Sequence, residues 1–181
     1  MRCNMKKAGI IIILILLFFL LYFLQANFFT WFTIAGVKPN LFVIYILFIG
    51  LFTGKKIGAT LGFFLGIYMD FLIGKSIGIS GIMLCIIGLL AEYFDKNFSK
   101  ESKVTIILMV MGSTILYEIG NYIYAIIKYG ITPEILSFSK ILLIEIIFNM
   151  FITIIIYPIM QKRGYEIEDV FKKKNILTRY F

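Results

Sequence analysis

GLFTGKKIGATLGFFLGIYMDFLIGKSIG, residues 50–78, decides how the chain is read. Glycine stands at positions 50, 54, 58, 62, 66, 74 and 78, all on a four-residue step, and Asp70 interrupts the series. Between Ile57 and Phe71 the residues are otherwise nearly all apolar. The stretch therefore predicts a membrane-embedded helix with Gly58, Gly62, Gly66 and Asp70 on one drifting stripe. Small residues at i and i+4 let a second helix approach backbone to backbone, which matters in lipid, where hydrophobicity alone gives helices no reason to associate. The stripe is a candidate helix-packing or partner interface. The carboxyl group at its end is costly in hydrocarbon and needs a partner or a polar surface.

Outside this stretch the composition sets the class. Sixty-one per cent of the 181 residues are hydrophobic and the mean hydropathy is +0.97, more apolar surface than the core of a soluble domain this size can hide. The chain reads as an integral membrane protein. Its net charge of +8 is carried in loops and tails between apolar runs, so membrane topology explains it better than nucleic acid does. Cys3 and Cys85 fall at different membrane levels, and the chain has no histidine. No disulfide, metal site or cofactor is expected.

Apolar runs and breakers predict an all-α fold of six transmembrane helices at about 8–25, 39–53, 57–73, 79–94, 104–128 and 139–160. Residues 1–160 form the membrane domain and 161–181 a basic cytoplasmic tail. Arg2, Lys6 and Lys7 precede a run, Ala8 to Leu24, that is too long for a secretory signal and lacks a convincing cleavage site, so it is read as a retained first helix. Phe28, Phe29, Trp31 and Phe32 suit the headgroup level. Pro39 suits a helix start, but the segment Leu41 to Thr53 rises only about 20 Å and would span only by borrowing its flanks. Lys55 and Lys56 are expected to form a tight turn, and Gly74-Lys75-Ser76 the next one. The fifth segment is long enough to tilt or protrude, and Thr132-Pro133-Glu134 breaks the chain before the sixth. Sorting the 18 basic residues onto alternate sides puts 14 with the termini and 4 opposite. By the positive-inside rule both termini are cytoplasmic.

In this layout Lys38-Pro39-Asn40-Leu41, then Gly54, Gly58, Gly62-Phe63 with Gly66, Asp70, and Gly74 to Gly78, resembles the rod shape-determining protein MreD family. There a Pro-Asp/Asn-Leu start of helix two is followed by a short basic turn, a glycine-rich helix of the form G-F-x-x-G-x-x-x-D, and a glycine turn. About 40 residues match closely; length, helix number and topology extend the match over the chain, while the last two helices and tail carry nothing matched residue by residue. The resemblance implies a non-enzymatic subunit of the bacterial cell-elongation complex, in the inner (cytoplasmic) membrane. Its implied partner is the bitopic protein MreC, and through it or directly the MreB cytoskeleton and the wall-synthesising polymerase and transpeptidase. It also implies a fold like the substrate-binding S-components of energy-coupling-factor (ECF) vitamin transporters.

The polar residues inside the apolar runs are the other candidates. Asp70 lies near the outer end of the third helix, where the helix dipole disfavours a negative charge; Lys75 and the backbone N–H groups from Ile77 to Ser80 are its nearest compensators. It either ties the turn between helices three and four or contributes to a partner surface. Glu118 and Asn121 on helix five, and Glu145, Asn149 and Thr153 on helix six, form two polar stripes at helical spacing. Asn121 and Glu145 fall at similar depth, so a hydrogen-bonded pair is expected there. With no Lys or Arg at that level, at least one glutamate is expected to be protonated. Structural hydrogen bonding, a polar cavity for a ligand or lipid headgroup, and proton transfer are the open readings. Glu92, near the inner end of helix four beside Asp95, can reach water. The tail, with Lys172-Lys173-Lys174 and Arg179 but also Glu166, Glu168 and Asp169, reads as a solvated segment attracted to anionic lipid.

Three functions compete. An assembly subunit is favoured by the glycine stripe. A solute-binding S-component of an ECF-type vitamin transporter would need a polar pocket from outer loops poor in ligand-binding groups. An intramembrane enzyme using Glu118 and Glu145 lacks any nucleophile, metal cluster or phosphate cradle beside them.

Overall fold

The computed structural model describes residues 2–73 and 78–172, which form six long helices. They are α1 (Arg2–Phe23), α2 (Leu41–Thr53), α3 (Lys55–Ile73), α4 (Ile79–Asn97), α5 (Lys103–Tyr129) and α6 (Ile135–Phe171). α1 runs on through a π-helical turn, Leu24–Phe28, and a short last turn, Phe29–Trp31. By length and apolarity α1 with this extension, α3, α5 and α6 can each cross a membrane. α2, with 13 residues, is too short, and α4 carries Glu92, Asp95 and Lys96 in its last turns. Of the six expected transmembrane helices, four are thus long and apolar enough to cross by themselves, and α2 and α4 are not.

α2 is the centre of the bundle. All of its residues from Leu41 to Thr53 are buried, and it touches each of the other five helices. A helix that is apolar all round belongs inside a protein, and protein rather than lipid surrounds this one. Its shortness therefore needs no borrowed flanks. Nor does it start at Pro39: Asn40 is the N-cap, its side chain accepting the Val43 N–H at 3.3 Å, with Pro39 ahead of the cap. At the other end Gly54, at φ +91°, is the whole connection to α3. Lys55 and Lys56 lie inside the first turn of α3 rather than in a loop.

α1 sits at the rim. Its buried Leu14 and Phe18 face the core, and the Tyr45 hydroxyl of α2 donates to the Leu14 carbonyl oxygen. Along α1 most large side chains are exposed, Ile12, Ile13, Leu16 and Leu20 among them.

The sixth helix differs most from its expected bounds. It starts at Ile135 rather than near 139 and continues through Pro158 to Phe171 instead of closing near 160. Its last turns are docked, because a Cβ on Gly164 would run into the Phe52 ring and the Tyr157 hydroxyl donates to the Glu101 carbonyl at 2.7 Å. Lys100 pairs with Asp95 at 2.8 Å and with Glu168 at 2.6 Å. Lys172 pairs with Asp95 and donates to the Leu51 carbonyl. Residues 161–171 are thus a helical clamp on the ends of α2 and α4, not a solvated tail. Lys7 lies 5.7 Å from the Phe171 ring centre, so the two ends of the described chain meet at one end of the bundle. Gly74, Lys75, Lys173, Lys174 and Arg179, singled out in the sequence, lie outside the described residues.

Candidate functional site

The glycine stripe is occupied within the chain. A Cβ on Gly62 would lie 2.5 Å from the Leu84 carbonyl oxygen of α4, and one on Gly66 would lie 2.6 Å from the Gly81 Cα. Gly58 meets two helices at once: its Cβ would stand 2.6 Å from the Gly50 Cα of α2 and 3.2 Å from the Gly88 carbonyl oxygen of α4. Real Cβ atoms do not come this close, so α2, α3 and α4 cross at a node that only glycine permits. Gly81, Gly88 and Ala91 on α4 supply the facing surface. These small residues fall outside the four-residue series that ends at Gly78.

Both ends of the α3–α4 pair are closed by carboxylates. Asp70 of α3 is buried, and its Oδ2 accepts the N–H groups of Gly78 at 2.9 Å and Ser80 at 3.0 Å, at the start of α4. Gly78, at φ +104°, forms the N-cap there. At the opposite end Glu92 of α4 accepts the Lys55 N–H at 3.0 Å, at the start of α3, and pairs with Lys96 at 2.8 Å. Each helix carries the acid that caps its neighbour, and the charge sits where the neighbour's dipole favours it. Glu92, expected only to reach water, thus caps α3; only the three-dimensional pairing of α3 with α4 brings it to Lys55. Phe63, between two stripe glycines, is partly exposed and sets its ring edge-on to Phe64 at 5.5 Å.

A second polar seam joins α2, α5 and α6. Asn149 of α6 accepts the Asn40 N–H at 2.7 Å and donates to the Thr114 hydroxyl of α5 at 3.0 Å. Gln25, beyond α1, accepts the Leu41 N–H at 3.1 Å. The expected pair of Asn121 with Glu145 is replaced. Asn121 donates to the Tyr117 carbonyl one turn earlier, while Glu118 stands within hydrogen-bond reach of Glu145, with Asn40 and Asn149 beside it. Glu145 Oε1 finds no hydrogen-bond partner among the described residues. Helical spacing put both glutamates on inward faces, but the rotation of α5 against α6 decides which residue of α5 meets Glu145.

The two polar systems meet in a cavity of about 540 Å³ at the end of the bundle away from Lys7 and Phe171. Asn40, Asp70, Tyr117, Glu118, Asn121 and Tyr124 stand in its wall. The Tyr117 hydroxyl donates to Ser80 Oγ at 3.0 Å, linking the Asp70 cap to α5. Tyr117, Tyr124 and Gln25 carry no signal in the sequence, because the Ser80 that meets Tyr117 is 37 positions away. Among the described residues no group of three or more Asp, Glu, Cys or His is placed to hold a metal ion.

A bundle of apolar helices, tied by buried caps and amides and hollowed by a polar cavity at one end, defines a polytopic helical membrane protein. The family described as rod shape-determining protein MreD matches residues 5–163, and the chain belongs to that family. Its members determine rod shape and are not known as enzymes. Comparison with curated proteins and with solved structures found no match.

Proposed function

We propose that the chain is a non-enzymatic subunit of the cell-elongation complex in the inner (cytoplasmic) membrane, with both termini cytoplasmic, and that it binds MreC. Through MreC or directly it would reach MreB and the wall-synthesising polymerase and transpeptidase, helping to position lateral peptidoglycan synthesis. The family match over residues 5–163 carries this reading. The polar cavity is its candidate contact surface: a concave site with a few convergent polar groups is the default binding site of a protein, and the glycine stripe is already taken up by α4. The test is co-purification of MreC with the intact protein from detergent. Wild type should retain MreC, and Tyr124→Ala with Asn121→Ala in the cavity wall should retain less at equal protein level. Unchanged retention would move the contact elsewhere; no MreC at all would remove the reading.

The same cavity favours the alternative of a solute-binding S-component of an ECF-type vitamin transporter. Co-purification of an ATP-driven transport module in place of MreC would decide for it.

A further inference from the structure

A second concavity lies at the opposite end of the bundle, and its chemistry differs from that of the polar cavity. Below the Tyr45–Leu14 hydrogen bond α1 stands away from α2 and α6 and leaves a slot of about 460 Å³. Ile10, Ile13 and Leu17 of α1, Phe48 of α2, and Ile159 and Met160 of α6 wall it. Its charged groups, Arg163 and Glu166, stand at the terminal end. Those two form an ion pair at 3.1 Å with side chains 70% and 57% exposed, so it is weak and solvent-accessible. Lys6 and Lys7 are outside its wall, on α1 one helical turn before Ile10. Lys7 reaches the ring of Phe171, itself one turn beyond Ile167 of the slot wall.

We propose that this slot binds one anionic glycerophospholipid of the leaflet next to the termini. One acyl chain lies between α1, α2 and α6, and the phosphate is held between Lys6 and Lys7 on one side and Arg163 on the other. Charge complementarity selects the occupant, since apolar walls under a basic rim between membrane helices suit an anionic headgroup with its chain. Glu166 opposes the phosphate, and its pairing with Arg163 lowers the selectivity without removing it.

The intact protein is purified in a mild detergent and titrated with phosphatidylglycerol, phosphatidylcholine or a polyprenyl phosphate, and lipid retention is read by native mass spectrometry. One phosphatidylglycerol per chain is expected, held more tightly than phosphatidylcholine. Arg163→Gln, and Lys6→Gln with Lys7→Gln, should each reduce that preference, by about fivefold per charge removed. These surface changes leave the helices intact. Ile13→Trp, at a 62% exposed slot position, should block lipid retention while the helical circular dichroism is unchanged. Equal retention of phosphatidylglycerol and phosphatidylcholine, a preference indifferent to the charge variants, or tighter retention of the polyprenyl phosphate would overturn the proposal. So would a second protein chain cross-linked at Ile13. None of these readouts depends on MreC, so the slot and the proposed function stand or fall separately.

Discussion

Asn40 and Asn149 are 109 positions apart, yet the backbone N–H of the first donates to the side-chain oxygen of the second at 2.7 Å. The side-chain amide of Asn149 donates to the Thr114 hydroxyl, so one side chain joins the start of α2 to α5 and α6. Asn149→Leu should lower the melting temperature of the purified protein. The loss is about 1–3 kcal/mol by the cost of stranding buried polar groups, nearer the low end because bonds between membrane helices measure small. Asn121→Leu, which removes only a bond to its own helix, should cost less. Equal effects would deny the seam its structural role.

Gly62→Leu and Gly66→Leu should deplete the folded protein. Each side chain would have to enter the backbone of α4, and overpacking costs of about 1–3 kcal/mol or more are expected. Phe64→Leu, at an exposed position, is the control. Normal level and melting temperature in the glycine variants, with only partner binding lost, would show the stripe facing outward instead.

Asp70 and Glu92 cap opposite ends of the α3–α4 pair, so their losses should add. Asp70→Ala and Glu92→Ala should each cost about 0.5–2 kcal/mol by the usual worth of a cap, and the double variant about the sum. Asp70→Asn keeps an acceptor oxygen and should cost less than Asp70→Ala. Thermal unfolding in detergent measures all four.

Glu118→Gln and Glu145→Gln preserve size and hydrogen-bonding capacity and should support normal cell shape in a complementation assay. Replacement of either by Leu should reduce protein level. Shapeless cells with Gln variants that remain abundant and still bind MreC would assign a proton-transfer role.

Burial disfavours the charged Lys100 ammonium, but hydrogen bonds and charge from Asp95 and Glu168 outweigh it and hold its pKa above the ordinary lysine value. The clamp therefore contributes its full stability below the unfolded lysine pKa, about 10.4, and loses it as pH rises through the higher folded value. The protection of residues 161–171 against hydrogen exchange, relative to the intrinsic rate at each pH, should fall in that alkaline window, and Lys100→Ala should lower it at neutral pH. Protection unchanged by both would show that the clamp is held by Phe52 and Gly164 alone.

Much of this was legible in residue order. Helix number, the inward faces of α3, α5 and α6, and the amides at the start of α4 as a home for Asp70 follow from periodicity and turn chemistry. The place of α2 was not, because an all-apolar run of 13 residues looks the same as a short span and as a buried core helix. The sixth helix was expected to end at 160, yet packing of Gly164 on Phe52 and the ion pairs of Lys100 and Lys172 carry it through Pro158 to Phe171. The partner of Glu145 depended on helix rotation, to which spacing along one chain is blind. Glu92 looked solvated because its target, the Lys55 N–H, is 37 positions away.

The reciprocal caps of α3 and α4 also bear on how the chain is assembled during synthesis. Once Asn97 has been made, this hairpin holds both of its carboxylates, both helix starts they satisfy and the glycine faces between them. These contacts are complete without α5 and α6. Those of α2 are not, since the neighbours that enclose it include the last helices to emerge. Insertion order and packing order therefore part company: the second helix delivered is among the last to be enclosed, and Asn149 seals it by taking the N–H of Asn40.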